Sequence, residues 1–316
     1  MPRPLREIAR SWLLAGPLGF SLCCASAGCS IRLIATRALA DTIVKNGDAY
    51  ASDDDPELVR AAVPFALKTM EQTLEAQPQH IGLLTALARN FTQFSYAFVQ
   101  EDADEMADQD LVRAKQIELR ARRLYLRARE YGLRGLDVVH PGFRKAFLDG
   151  TEADRAKFLG LCTKADVALL YWTGAPWTLA IAAGKDSMEL VGQLPIVEQI
   201  MARALALDES WNDGALDEYY VAYDASRSAA DGGGPARAKA HLERARALSR
   251  NMRLGPIVSY AEGVLVASQD RKEFVHSLQE VVATDVDRFP SERLANMVAQ
   301  RRARWLLTRV SDLFAD

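Results

Sequence analysis

Cysteine is scarce in this chain, and where it does occur is informative. Of 316 residues only four are cysteine, and three of these (Cys23, Cys24 and Cys29) fall within the first thirty positions. The body is left with Cys162, so an internal disulfide framework is excluded. Histidine is equally sparse: His80, His140, His241 and His276 stand apart, without the spacing of a metal site. No Ser or Cys elbow precedes a helix, and there is no G-x-G-x-x-G or Walker loop. Gly232-Gly233-Gly234 has no strand before it. Charge of one sign is lacking too. Lys and Arg number 39 against 42 Asp and Glu, a net −3, so nothing global draws the surface to nucleic acid or an anionic membrane. Sustained alternation of β-branched residues is absent, which argues against a sheet. These absences leave no cofactor, no metal and no catalytic residue to propose, and they point away from an enzyme.

What is present begins with an export signal. Arg3, Arg6 and Arg10 precede an apolar run from Trp12 to Leu22, broken by Gly16, Pro17 and Gly19. The run is shorter than the ~20 apolar residues of a membrane span, so residues 1–28 read as a cleaved signal peptide. Ala25-Ser26-Ala27-Gly28-Cys29 resembles the lipobox of bacterial lipoproteins, with Ser26 where Leu is usual. In such proteins the cysteine is lipidated, which makes Cys29 the lipidation site and the lipid the membrane anchor. The alternative is ordinary cleavage near Ala27. Residues 29–52 are then the lipidated N-terminus and first helix, and 53–316 the folded domain.

The mature chain is patterned for helices, with breakers such as Asp55-Pro56, Gln77-Pro78, His140-Pro141-Gly142, Leu194-Pro195, Gly234-Pro235 and Gly255-Pro256 cutting it into helix-sized pieces. Within them a tetratricopeptide-like register recurs. Ala66, Met70 and Thr73 precede Pro78, and Leu84, Leu87, Ala88 and Phe91 fall at the next unit's interlocking positions. Ala121/Tyr125/Ala128, Val197/Met201/Ala204 and Ala238/Leu242/Ala245 repeat the small-large-small spacing, and Phe274/Leu278/Val281 is a degenerate last copy. Small residues let helix backbones approach while the large one fills the gap. The predicted fold is all-α: a tetratricopeptide-like solenoid of helical hairpins, closed by a C-terminal capping helix from Arg293 to Phe314. The acidic run Glu101 to Asp110 fails as a calcium loop, since Ala107 and Arg113 stand where Gly and Glu are needed, and it reads as a solvated insertion.

Several segments are more specific than the repeat. They are Phe91-Thr92-Gln93-Phe94-Ser95-Tyr96-Ala97-Phe98-Val99-Gln100, Arg123 through Leu136, Tyr171-Trp172-Thr173-Gly174-Ala175-Pro176-Trp177, Ala204 through Ala215, and Leu294 through Leu307. Together they resemble the TatT family, the T-component lipoproteins of tetratricopeptide-associated TRAP transporters, from about Ala40 to Phe314. The resemblance implies a periplasmic helical scaffold working beside a TRAP substrate-binding protein. It also implies a homo-oligomer, a trimer being one form, and a channel-like cavity in each protomer. No nucleic-acid partner is implied.

Candidate site residues follow. Gln93, Tyr96 and Gln100 flank the Phe91/Phe94/Phe98 stripe and suit the wall of a cavity for an organic, partly apolar ligand. Trp172 and Trp177 bracket Gly174 and Pro176, where proline should kink or end the helix and open a concavity. Trp211 lies at a repeat junction and reads as structural. Arg301 and Arg302 could hold an anion or a partner, against a solvated helix face as the plainer alternative. The competing function is a generic tetratricopeptide lipoprotein scaffold for envelope assembly. An envelope hydrolase would need a nucleophile or metal constellation that this pattern does not display.

Overall fold

A computed structural model describes residues 40, 41 and 50–315. Cys29, the signal segment and most of the first helix expected before residue 53 lie outside the described residues. Among the described residues there is no strand, and the all-α expectation holds.

The helices begin and end where the sequence places its breakers. Asp55 caps α1 (Pro56–Ala76) by accepting the backbone N–H groups of Glu57 and Leu58. Further on come α2 (Ile81–Phe94), the short acidic α3 (Glu101–Met106) and the long α4 (Leu111–Val139). His140 closes α4, and the turn into α5 (Phe143–Asp149) needs Gly142, whose φ of 99° suits glycine. A Thr151/Asp154 capping box starts α6 (Glu152–Leu161), which leads to α7 (Val167–Ala182). The rest runs through α8 (Met188–Val191), α9 (Leu194–Leu207), α10 (Ala215–Ala225), α11 (Pro235–Leu248), α12 (Gly255–Tyr260), α13 (Arg271–Ala283), α14 (Arg293–Thr308) and α15 (Val310–Leu313). The stretch Met188–Leu207 is long and apolar enough to cross a membrane by length and composition. Its Val197, Ile200, Met201 and Ala204 are fully buried in the protein's own core.

Three apolar cores follow the chain. The first joins α1, α2 and the N-terminal half of α4; the second joins the rest of α4 to α5, α7, α9 and α10; the third lies under α12, α13 and α14. Most residues of the small-large-small register are in them. Ala121, Tyr125 and Ala128, Val197, Met201 and Ala204, and Phe274, Leu278 and Val281 are fully buried, whereas Ala66 and Leu242 are only half-buried. Glycines set the closest crossing. A side chain at Gly132 of α4 would come within 3.0 Å of the Thr173 backbone on α7, and one at Gly174 of α7 within 2.8 Å of Met201 Cγ on α9.

Two expectations change. Pro176 neither ends α7 nor opens a concavity, because the helix runs through it with Pro176 itself buried. On either side of it the Thr173 and Thr178 hydroxyls donate back to Leu169 O and Gly174 O. The acidic run is not a solvated insertion either. It folds as α3 with Glu101 and Ala103 buried, because α14 returns from the far end of the chain and supplies arginines to its carboxylates. The chain's ends are also tied by backbone: Leu294 N–H donates to Ala51 O at 3.0 Å, and Arg293 Nη1 donates to Ser52 O at 2.8 Å.

Candidate functional site

Two helices depart from α geometry. After Phe94 the chain continues as a π turn from Ser95 to Gln100 before becoming α3, and after Tyr260 a second π turn spans Ala261–Leu265. An extra residue in a turn rotates the following side chains and widens the helix, and such turns gather at functional sites. Here both face one cleft of about 230 Å³, lined by Tyr96, Glu101, Asp104, Ala222, Ser226, Ser259, Glu262, Gly263 and Arg302. Gly263 is required, since a Cβ there would fall 2.7 Å from Ala225 Cβ of α10.

Arg302 is the clasp across this space. Its side chain is buried, with Nη1 donating to Asp104 Oδ2 at 2.8 Å and Nη2 to Glu262 Oε1 at 2.5 Å. Glu101 Oε2 lies 3.5 Å from Nη1, beyond a hydrogen bond, and is buried without another partner. One guanidinium thus serves a carboxylate of the second π turn and one of α3, the helix that continues from the first. Burial works against its charge, but the bonds to Glu262 and the field of Glu101 and Asp104 hold it protonated. Glu101 is 1% exposed. Burial pushes its carboxyl up to about 7, with Asp104 adding to the rise and Arg302 opposing it.

Tyr96 keeps 42% of its surface open. Its phenol is nonetheless raised above its ordinary range, first by burial and then by Glu101. The ring forms part of the cleft wall and is open to solvent on one side. Glu218 has a third of its side-chain surface open (33%), 3.6 Å from Arg253, which also pairs with Glu292 at 3.2 Å. Burial raises the Glu218 carboxyl against the pull of Arg253, and raises the Tyr171 phenol with help from Glu218. Gly255 allows this approach, because a Cβ there would meet Glu218 Oε1 at 2.6 Å. Glu218 and Ala222 on α10 and Ser226 at its C-cap lie four residues apart, so one stripe of that helix connects the two regions. Its other side carries Tyr219, Tyr220 and Tyr223, which line a second notch of about 210 Å³ with Glu198 and Arg227.

The residues singled out from sequence separate accordingly. Tyr96 is on the cleft wall. Gln93 points to solvent, and Gln100 donates to Asp104 Oδ1 at 2.8 Å, one step behind the wall. Trp172 packs half-buried against the first core, edge-on to Tyr171 at 4.8 Å. Trp177 faces no open space: it is 0% exposed, its Nε1 donates to Gln193 Oε1 at 2.8 Å, and the Arg129 guanidinium sits 4.8 Å over its ring. It fills the core as a plug. Arg301 and Arg302 are not free for an anion or partner, because Arg301 donates to both oxygens of Glu105, and to Asp102, and Arg302 is satisfied as above. Glu101, Glu218, Arg253 and Glu262 were missed. The Glu101 signal was present in the acidic run, but only the α14 contact shows that it is buried.

The cleft holds one aromatic ring, two serine hydroxyls and paired charges, which suits retention of a small organic molecule more than bond-breaking. Burial pushes the Cys162 thiol up to about 11, so it is a poor nucleophile. Among the described residues, a group with metal-ligand distances lies elsewhere, at His140, Cys162 and Asp166.

Comparison with known proteins agrees with the residues quoted from the sequence. A sequence model described as TRAP transporter T-component matches residues 52–314. An uncharacterized protein of Treponema pallidum (strain Nichols) is 29% identical over 311 residues, covering 94% of this chain and 96% of that one.

Proposed function

This chain belongs to the TRAP transporter T-component family, and on that premise we propose that it is a periplasm-facing scaffold that holds a small organic solute in the cleft between its two π turns. The family is a transporter component and not an enzyme family, which places the chain with a bacterial envelope transport system. In this reading Cys29 carries the lipid anchor and the protein docks a TRAP substrate-binding protein. It passes solute without chemistry and assembles with copies of itself. The helices with small-large-small faces serve as tetratricopeptide-like hairpins, closed by α14.

The cleft carries this reading. A scaffold that only docked a partner would gain nothing from gathering Tyr96, the buried Glu101 and Glu262 around about 230 Å³ of open space. Ala222 lies on the wall and is itself exposed to that space, so Ala222→Trp should fill the cleft with little strain on the cores. Expressed with its cognate permease and binding protein, the variant is expected to block solute uptake while still co-purifying with the binding protein. Unchanged uptake refutes the cleft's role. A wild-type chain that stays alone at high concentration beside its binding protein refutes the partner. Loss of acyl labelling in Cys29→Ser, and the mass of the purified protein in solution, test the anchor and the oligomer.

A further inference from the structure

We propose that His140, Cys162 and Asp166 form a binding site for one transition-metal ion of the zinc class, where the end of α4 meets the turn between α6 and α7. The three side chains offer an imidazole nitrogen, a sulfur and a carboxylate oxygen, and these atoms all lie within 4.8 Å of one another. That mixed donor set suits Zn²⁺ and its borderline-soft neighbours, whereas Ca²⁺ and Mg²⁺ take oxygen alone.

Each ligand is held from behind. His140 N–H donates to Leu136 O at 2.8 Å and its carbonyl accepts from Phe143 N at 2.9 Å, which fixes the residue at the corner of α4. Cys162 caps α6 through Leu159 O, and its carbonyl accepts from Arg203 Nη2 at 2.7 Å. Asp166 Oδ2 accepts from Thr163 N at 2.7 Å and Thr163 Oγ1 at 3.1 Å, the kind of outer hydrogen bonding that orients a ligating carboxylate.

Without an ion the imidazole is left unsatisfied, and that is the second observation. His140 Nε2 is buried with no hydrogen-bond partner, although Asp166 Oδ2 is only 3.3 Å away. The Cys162 thiol makes one weak hydrogen bond, donating to Phe158 O at 3.5 Å. A divalent ion takes up the nitrogen lone pair, the carboxylate and the sulfur together, and the thiol proton passes to water as the metal–sulfur bond forms. Three protein ligands leave a fourth position for water. The ion ties the ends of α4 and α6 to the start of α7.

The test uses the full chain with Cys23, Cys24 and Cys29 changed to Ser, so that Cys162 is its remaining thiol. Under reducing, anaerobic conditions it is titrated with Co²⁺ and followed by absorption. One equivalent is expected to bind with a sulfur-to-cobalt charge-transfer band, and Zn²⁺ to displace it. Cys162→Ser should abolish the band, and His140→Gln or Asp166→Asn should each weaken binding by about ten-fold or more, with helix content checked by circular dichroism. Absence of the band, or stoichiometric binding unchanged by Cys162→Ser, overturns the site. Should Cys162→Ser misfold, X-ray absorption on the zinc-loaded parent decides: a sulfur shell supports the site and its absence refutes it.

Discussion

Glu101 offers a test of the cleft's electrostatics that runs against the usual effect of deleting a charge. Its carboxyl rises from 4.5 to about 7, chiefly through burial and despite Arg302. At about 1.4 kcal/mol per tenfold change in proton affinity, ionising it in the fold costs about 3 kcal/mol more than in the unfolded chain. The sign follows from proton counts. Between pH 4.5 and about 7 the folded state binds the extra proton, so stability falls as pH rises through that window. Glu101→Gln keeps the shape and removes the ionisation. The variant should match wild type near pH 4.5 and exceed it by up to about 3 kcal/mol at pH 8, a ceiling because local relaxation lowers the cost. Urea denaturation followed by circular dichroism at several pH values measures this difference. If Glu101→Gln is less stable than wild type at pH 8, the pair with Arg302 outweighs desolvation and the reasoning is wrong.

Removing the clasp instead of the carboxyl should act the other way. Arg302→Met leaves Glu101, Asp104 and Glu262 without their shared cation and should cost about 3–5 kcal/mol in the same titrations. Arg301→Met, whose side chain is 33% exposed, should cost about 1 kcal/mol or less. Gly132→Val drives a side chain into the Thr173 backbone and should destabilise by about 1–3 kcal/mol or more. Gly160→Ala on α6, with nothing within 4 Å of the added methyl, should be neutral or gain up to about 1 kcal/mol. His241 bonds Asp217 at 2.6 Å between two almost fully buried carboxylates, so His241→Ala should lose about 1–3 kcal/mol by denaturation.

The local half of the fold was legible from the chain. Helix ends coincide with the breakers because Asp55, Thr151 and Gly142 satisfy or bend the backbone by rules that involve only a few neighbouring residues. The small-large-small register points to the packed faces because a helix must bury whichever stripe can approach another helix closely. Where reading failed, the deciding contact was distant. Pro176 was expected to break α7, but the helix runs through it, with Pro176 buried and Trp177 in the second core. His140 belongs to α4, whereas Cys162 and Asp166 flank a later turn, so no spacing rule pairs them.

The cleft was illegible for a further reason, and it bears on how such a site is made. Its walls come from two π turns, and nothing in Ser95–Gln100 or Ala261–Leu265 marks them as other than α-helical by composition or period. A widened turn is weaker in its own backbone bonding, so the surrounding structure has to hold it. Here the holding group is Arg302 of α14, which donates to Glu262 on the second π turn and to Asp104 in α3, the helix that continues from the first. The interaction that closes the chain on itself is therefore the one that shapes the cleft. This explains why the acidic run and the basic helix each looked like an ordinary solvated face when read separately. It also makes the site's geometry and the chain's closure inseparable, so any ligand that reaches Arg302 or Glu101 acts on both at once.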